Sequence, residues 1–187
     1  MSPITHFLTG WIIANLPPES TPRDRCLISL SAVISDVDGL GIVIDFFTKR
    51  TTFYQDFHHT LGHNLFFGII ATILFSWLAN RKFLTGILVF ICFHLHLFED
   101  LIGSRSPDGY QWPIPYFWPL TNQWQWTWAG QWELNAWPNF LITGILLLVL
   151  FWLAIRRGFS PLEIISSKAD RAFVHALRQR LTCSSKS

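Results

Sequence analysis

The chain has 187 residues, enough for one compact domain. Half of them are hydrophobic, 16% are aromatic and only 14% are charged, against about 25% charged residues in an ordinary soluble domain. This balance excludes a disordered chain, a coiled coil and a nucleic-acid-binding module built on a basic surface. The formal charge of +2 arises from 14 basic and 12 acidic residues, so we expect no nucleic-acid partner.

Two apolar segments at the start of the chain are short or broken. The first covers residues 4–16 and is stopped by Pro17 and Pro18. The second covers residues 26–47 and is interrupted by Asp36, Asp38 and two glycines. Broken helices at membrane depth usually line a polar cavity, and we expect the same of these segments.

Three later stretches carry no charged side chain: residues 64–80, 83–98 and 134–155. As helices rising about 1.5 Å per residue, they approach or reach the roughly 30 Å hydrocarbon core of a bilayer. A soluble helical protein with a very apolar core is the alternative. However, Arg156 and Arg157 directly follow the last stretch, which is typical of a membrane helix. The sequence predicts an all-α integral membrane helical bundle with broken and short helices.

A loop over residues 103–137 is rich in tryptophan, proline and glutamine. Indole rings partition to the headgroup zone, so we interpret the loop as an interfacial cap, with a sugar-stacking platform as the alternative. Seven of the ten tryptophans lie in it: Trp112, Trp118, Trp124, Trp126, Trp128, Trp132 and Trp137.

Basic residues predict the orientation and a peripheral tail. Arg81-Lys82 and Arg156-Arg157 fall on one side if the three long stretches alternate across the bilayer, and the positive-inside rule makes that side cytoplasmic. Residues 159–187 combine apolar positions at helical spacing with lysines and arginines, which predicts an amphipathic basic C-terminal tail on the anionic cytoplasmic surface. Residues 1–158 form the membrane-embedded domain, in the inner (plasma) membrane as a multi-pass protein.

Polar residues concentrate where hydrophobic ones would be expected. Ionisable side chains inside a membrane are costly, so such a concentration predicts a functional site. Six of the seven histidines precede residue 97 and lie in or beside apolar segments: His6, His58, His59, His63, His94 and His96. A single buried histidine is more often a packed core residue, but six with nearby aspartates are not.

The spacing of these residues suits metal binding. His96 and Asp100 lie one helical turn apart, and His59 and His63 have the same spacing. Imidazole nitrogen and carboxylate oxygen together suit zinc, manganese or iron(II), and two such ions promote phosphoryl displacement. We expect the site to hold two divalent metal ions, either zinc or manganese. The candidate ligands are His6, Asp36, Asp38, His58, His63, His96 and Asp100.

The order of these motifs resembles the YdjM-type family of inner-membrane-associated proteins, described as LexA-binding and as metal-dependent hydrolases. The resemblance spans roughly residues 4–120 and departs from the family pattern where H-R-G-x-T-H-S is replaced here by H-H-T-L-G-H-N. Arg105 is the candidate substitute for the missing arginine in binding an anionic substrate. The matching pieces are Thr5-His6, Asp36-Val37-Asp38, His58 to His63, His96 to Asp100, and Pro115 to Pro119.

The resemblance implies a reaction class and no substrate. We expect a membrane-bound, binuclear metal-dependent hydrolase whose site faces the non-cytoplasmic side and acts on a phosphoester or related bond. The substrate would be a lipid or lipid-linked molecule near the bilayer surface, with His59 or Glu99 moving the proton. The alternative is a non-enzymatic metal-binding membrane protein or a metal transporter, because broken helices with a polar site occur there too.

Overall fold

The computed structural model describes residues 1–184, and within that range the regular structure is helical, without strands. The prediction of an all-α fold is confirmed. The α-helices are α1 (Pro3–Ala14), α2 (Pro22–Ser31), α3 (Gly41–Thr48), α4 (Phe53–Phe57), α5 (Leu65–Leu78), α6 (Lys82–Gly103), α7 (Trp137–Arg157) and α8 (Ser167–Ser184), and two 3-10 helices cover Ile34–Leu40 and Pro161–Ile164.

Two helices, α6 and α7, are long and apolar enough to cross a membrane. Helix α2 and the segment Ile34–Thr48 make a third candidate if they count as one span, bent by 51°. The stretch 64–80 is shorter than predicted: α5 has 14 residues and is therefore only about 21 Å long. Its first residue, Asn64, is the N-cap that accepts a hydrogen bond from Phe67, so the preceding chain is free to form a loop.

Local signals set the ends of the first two helices. Ser2 caps α1 by accepting from the backbone N–H of Thr5, and the helix ends at Ala14, before the two prolines as predicted. Thr21 and Asp24 form a capping box at the start of α2. Asp24 also accepts from the backbone N–H of Asn80 at 2.9 Å, which ties α2 to the turn between α5 and α6.

The break after α2 is the feature that shapes the polar end of the bundle. Helix α2 is capped at Ala32, and the chain continues as the 3-10 helix Ile34–Leu40, which carries Asp36 and Asp38. The sequence prediction of a broken segment is confirmed. Because the helix stops there, the Ala32 carbonyl has no partner in a further helical turn and can accept a hydrogen bond from elsewhere.

Helix packing separates a polar end from a basic end. Helix α1 packs against α2, α6 and α7, with Trp11 buried among Leu8 and Leu150. At one end, Arg157 donates to the backbone carbonyl of Asn15, which closes α1 against α7. His6, near the start of α1, and Asp100, near the end of α6, meet at the opposite end.

The C-terminal tail packs on the basic end. Arg25 of α2 makes a two-pronged ion pair with Glu163 at 2.6 and 2.7 Å. Asp170 of α8 is buried and accepts from the Ser160 backbone N–H at 2.6 Å. These contacts fasten the segment before α8 and the start of α8 to the bundle. The last residues of the predicted tail, 185–187, lie outside the described part of the chain.

Close packing requires a glycine at position 62, where the loop before α5 passes the 3-10 helix Ile34–Leu40. A Cβ atom at Gly62 would lie 2.1 Å from the Ser35 carbonyl oxygen, and the Gly62 N–H donates to Asp38 at 2.8 Å. We expect Gly62→Ala to lower the free energy of unfolding by about 2 kcal/mol, because the loop must move away from Ser35. Thermal unfolding in detergent measures this. Gly144→Ala, where the Cβ meets nothing within 4 Å, is the control and should leave the melting temperature unchanged or raised.

Candidate metal centre

Four side chains converge at the polar end of the bundle. Asp36, His63, His96 and Asp100 each offer one ligand atom, and these atoms lie within 4.8 Å of one another. The His63 and His96 Nε2 atoms are 3.1 Å apart, and Asp100 Oδ2 lies 3.3 and 3.1 Å from them. Asp36 Oδ1 is slightly farther, at 3.9 and 3.6 Å from the same nitrogens. The four come from three separate parts of the chain.

The hydrogen bonds of the two histidines determine which nitrogen is free. His96 Nδ1 donates to the Ala32 carbonyl at 2.7 Å, the carbonyl exposed by the helix break. His63 Nδ1 lies 3.0 Å from Asp38 Oδ2, a carboxylate that can only accept. A neutral imidazole has one N–H, so both Nε2 atoms then carry lone pairs.

Two nitrogen lone pairs and a carboxylate oxygen thus face one point. Asp100 Oδ2 is buried and has no hydrogen-bond partner among the described residues. Burying these three acceptors together costs free energy unless a cation lies between them. Ligands about 2.05 Å from a tetrahedral zinc are roughly 3.3 Å apart, close to the separations found among His63, His96 and Asp100. The donor set therefore fits a divalent metal.

Asp38 and His58 were predicted as ligands, but the group of four does not include them. The two Asp38 oxygens accept from His58 Nδ1 and His63 Nδ1, both at 3.0 Å, and the Gly62 N–H donates to Asp38 as well. The carboxylate therefore orients two histidine rings, as partners of metal-binding histidines commonly do. His58 and His63 both reach Asp38 because both lie in the chain before α5, which begins at Leu65.

His6 contacts the second carboxylate oxygen of Asp100, Oδ1. Its Nδ1 lies 2.6 Å from Glu99 Oε2, and its Nε2 lies 3.1 Å from Asp100 Oδ1. Thr9 donates to the second Glu99 oxygen at 2.6 Å, so both oxygens of Glu99 are engaged. The α-amino group of Met1 also pairs with Asp100 Oδ1.

His59 lies beside the centre in an unusual backbone conformation. Its φ of 64° is left-handed, which non-glycine residues adopt rarely and often at functional sites. Its Nε2 lies 3.7 Å from Asp100 Oδ2, and its buried Nδ1 has no hydrogen-bond partner among the described residues. Burial holds the pKa of His59 well below its ordinary value, and the nearby His63 adds to this effect. The ring is therefore neutral, and one of its two nitrogens carries a lone pair.

A cavity of about 210 Å³ opens onto the centre. Asp36, His59, Asp100 and Arg105 are among the residues that line it. The Arg105 Nη2 atom is 3.9 Å from Glu133 Oε1, and its Nε atom is buried without a partner in the described chain. Arg105 thus brings a positive charge with unused donor capacity to the cavity.

Some features of the site were missed from the sequence. Tyr54 and Trp112 line the cavity, although only their aromatic character could have indicated a role. The Ala32 carbonyl carries no residue-type signal at all, because any residue supplies a carbonyl. His94 is not part of the centre: its Nδ1 bonds the Phe90 carbonyl and its Nε2 lies 2.9 Å from the Tyr116 hydroxyl.

These observations define a helical membrane protein with a buried group of histidines and aspartates that could hold a metal ion. The family model of the YdjM inner membrane protein matches residues 1–174, and the chain belongs to that family. The resemblance inferred from the motifs is confirmed. No curated protein and no solved structure matches the chain.

Removal of a ligand should release metal. We expect His63→Ala to lose bound zinc or manganese and to lower the melting temperature, because Asp38 and Asp100 keep uncompensated buried charge. Elemental analysis of detergent-purified protein and thermal unfolding measure the two effects. His94→Ala is the matched control on the same side of the bundle and should retain the metal. Equal metal content in both variants would contradict the assignment.

Proposed function

We propose that the protein is a membrane-bound, metal-dependent hydrolase that cleaves a phosphoester of a lipid or lipid-linked substrate. The observation that carries this proposal is the buried convergence of His63, His96 and Asp100 under a cavity that also contains Arg105. Divalent cations held there supply Lewis acidity and activate water for attack on phosphorus. Arg105 binds and orients the anionic group.

The proposal includes a second ion, held between His6 and Asp100. Asp100 presents Oδ2 to His63 and His96, and Oδ1 to His6 Nε2 at 3.1 Å. Because Glu99 accepts from His6 Nδ1, the neutral His6 ring carries a lone pair on Nε2 that faces Asp100 Oδ1. A cation held there would take the place of the Met1 α-amino group, which pairs with the same oxygen. A carboxylate that offers one oxygen to each of two histidine groups is suited to bridge two cations.

The proton is moved by His59 in this proposal. Its neutral ring borders the cavity and has an unused buried nitrogen, so it can take a proton from the attacking water and return it to the leaving oxygen. Glu99, the other candidate from the sequence, has both oxygens engaged by His6 and Thr9. We therefore assign Glu99 to orienting His6.

The surroundings of the centre support a substrate held partly in lipid. An apolar groove of about 330 Å³ runs beside Asp38 and is lined by Leu40, Ile44 and Phe57. On the neighbouring turn of α3, Phe46 is 71% exposed and Phe47 is 78% exposed, as expected of side chains that contact acyl chains. A substrate tail in this groove brings its headgroup to the centre.

The centre faces the non-cytoplasmic side of the inner membrane in this proposal. The opposite end of the bundle carries Arg81, Arg156 and Arg157 and the basic helix α8, which the positive-inside rule assigns to the cytoplasm. The exposed tryptophans Trp124 and Trp128 lie in the loop near the centre and are suited to the headgroup zone.

Hydrolysis is tested with purified protein loaded with zinc or manganese. The parent should release phosphate or a phosphorylated headgroup from mixed lipid micelles, and Asp100→Asn should lower the rate at least 100-fold, because the bridging charge is lost. His94→Ala is the control and should retain activity. A lack of turnover across a panel of phosphoesters and carboxylic esters, with metal uptake into proteoliposomes instead, would favour the transporter alternative.

Orientation is tested by cysteine labelling in intact cells. With native cysteines replaced by serine, a cysteine at Gln123 in the tryptophan-rich loop should react with a membrane-impermeant thiol reagent. A cysteine at Lys168, an exposed position of α8, should react only after permeabilisation. The reverse pattern would place the metal centre on the cytoplasmic side.

A further inference from the structure

A second cavity of about 310 Å³ lies next to the metal cavity. Three aromatic side chains, Tyr110, Trp112 and Trp118, form part of its lining. Trp112 also lines the metal cavity, and its ring centroid lies 5.3 Å from that of His58, which borders both spaces as well. A molecule in the second cavity can therefore extend past Trp112 and His58 towards the metal centre.

The polar lining of the second cavity is neutral or acidic. Gln55, Asn122 and Gln125 contribute amide groups, and these side chains make no hydrogen bond within the described part of the chain. Asp56 adds a carboxylate that accepts from Thr52 at 2.8 Å. No lysine or arginine is among the described residues that line this cavity. A phosphate or carboxylate ligand would find no lysine or arginine here, and the one histidine of the lining, His58, already pairs through Nδ1 with Asp38. A hydroxyl-rich neutral ligand finds both donors and acceptors.

Flat aromatic faces beside unpaired amides suit one ligand class in particular. A sugar ring has apolar C–H faces that pack on indole and phenol rings, and hydroxyl groups around its edge that exchange hydrogen bonds with amides and carboxylates. An acyl chain would leave the amides unpaired at a cost of about 1–3 kcal/mol each if they became buried. The cavity therefore selects a polyhydroxylated ring over an alkyl chain.

We propose that the second cavity binds the neutral sugar ring of a lipid-linked sugar phosphate whose phosphate lies at the metal centre. This proposal rests on the proposed hydrolase function and specifies its substrate class. The sugar ring occupies the space between Trp118 and Gln125, the phosphate lies beside Arg105, and the lipid tail follows the apolar groove near Asp38. Hydrolysis adds water across one phosphoester bond, so that one product keeps the phosphate and the other ends in a hydroxyl group.

Binding is tested on metal-loaded protein in nanodiscs, with phosphate release monitored in the same sample so that only unhydrolysed probe is scored. The probes are three amphiphiles with the same tail, namely dodecyl phosphate, dodecyl glucoside and glucosyl dodecyl phosphate, together with the tail-free methyl glucoside. N-acetylglucosamine counterparts extend the sugar probes. We expect glucosyl dodecyl phosphate to bind most tightly, and methyl glucoside to bind at least tenfold more weakly than dodecyl glucoside.

Variants of the second cavity locate the sugar. Trp118→Ala should weaken both dodecyl sugar amphiphiles about tenfold and leave dodecyl phosphate unchanged. Gln125→Ala, at an exposed side chain without a hydrogen bond, is a second variant that should fold normally and weaken the same two probes. Trp124→Ala is the control, because Trp124 belongs to the same loop and does not line the cavity. Retained metal binding by each variant, measured separately, verifies its fold.

The outcomes separate this proposal from the proposed function. Undetectable binding of every sugar amphiphile, or equal weakening of dodecyl phosphate and dodecyl glucoside by Trp118→Ala, would overturn the sugar site whatever the hydrolase assay gives. Equal affinity for methyl and dodecyl glucoside would overturn the lipid-linked source. Selective sugar binding by a protein that hydrolyses no phosphoester in the metal-loaded state would instead overturn the hydrolase and leave the binding site standing.

Discussion

The Nδ1 atoms of His63 and His96 are both committed to protein oxygens, and this constraint determines the arrangement of the polar end. Once those two hydrogen bonds form, the Nε2 lone pairs face each other at 3.1 Å beside Asp100 Oδ2. Acceptors that face each other in a buried place are stabilised when a proton or a metal cation lies between them. The helix break at Ala32 follows from the same need, because an intact helix would have used the carbonyl that holds His96.

A membrane bundle can carry so polar a group because the group lies at one end, where irregular chain supplies partners. Asp38 is held by a backbone N–H from Gly62 and by two histidines, and His6 is held by Glu99. In these contacts, N–H donors, most of them from the irregular segments, hydrogen-bond to the carboxylates and stabilise their negative charge. The cost of burying the aspartates is thereby reduced without a metal, and a bound metal would offset the remainder.

The sequence predicted the parts of the site that depend on local geometry. His96 and Asp100 are one helical turn apart, so their shared direction followed from spacing alone. The roles of Asp38 and Glu99 could not be predicted, because each depends on contacts with residues at least 20 positions away in the chain. Helix α5 is shorter than the uncharged stretch 64–80 because Asn64 is its N-cap and the helix ends at Leu78, neither of which hydropathy registers. The Asn64 cap leaves His63 in the loop that reaches Asp38.

The three spaces around the centre differ in charge, and this difference orders a substrate along them. The metal cavity contains Arg105 and the proposed cations, so an anionic group is held there. The second cavity contains Asp56 and neutral amides, which repel an anion and accept hydroxyl groups. The groove near Asp38 is apolar and adjoins the exposed face of α3. A molecule that satisfies all three would carry an anionic group, a polar ring and an apolar tail, and the proposed function places its phosphoester in the cavity that His59 lines. Charge and polarity of the three spaces would then orient such a substrate before any chemistry begins.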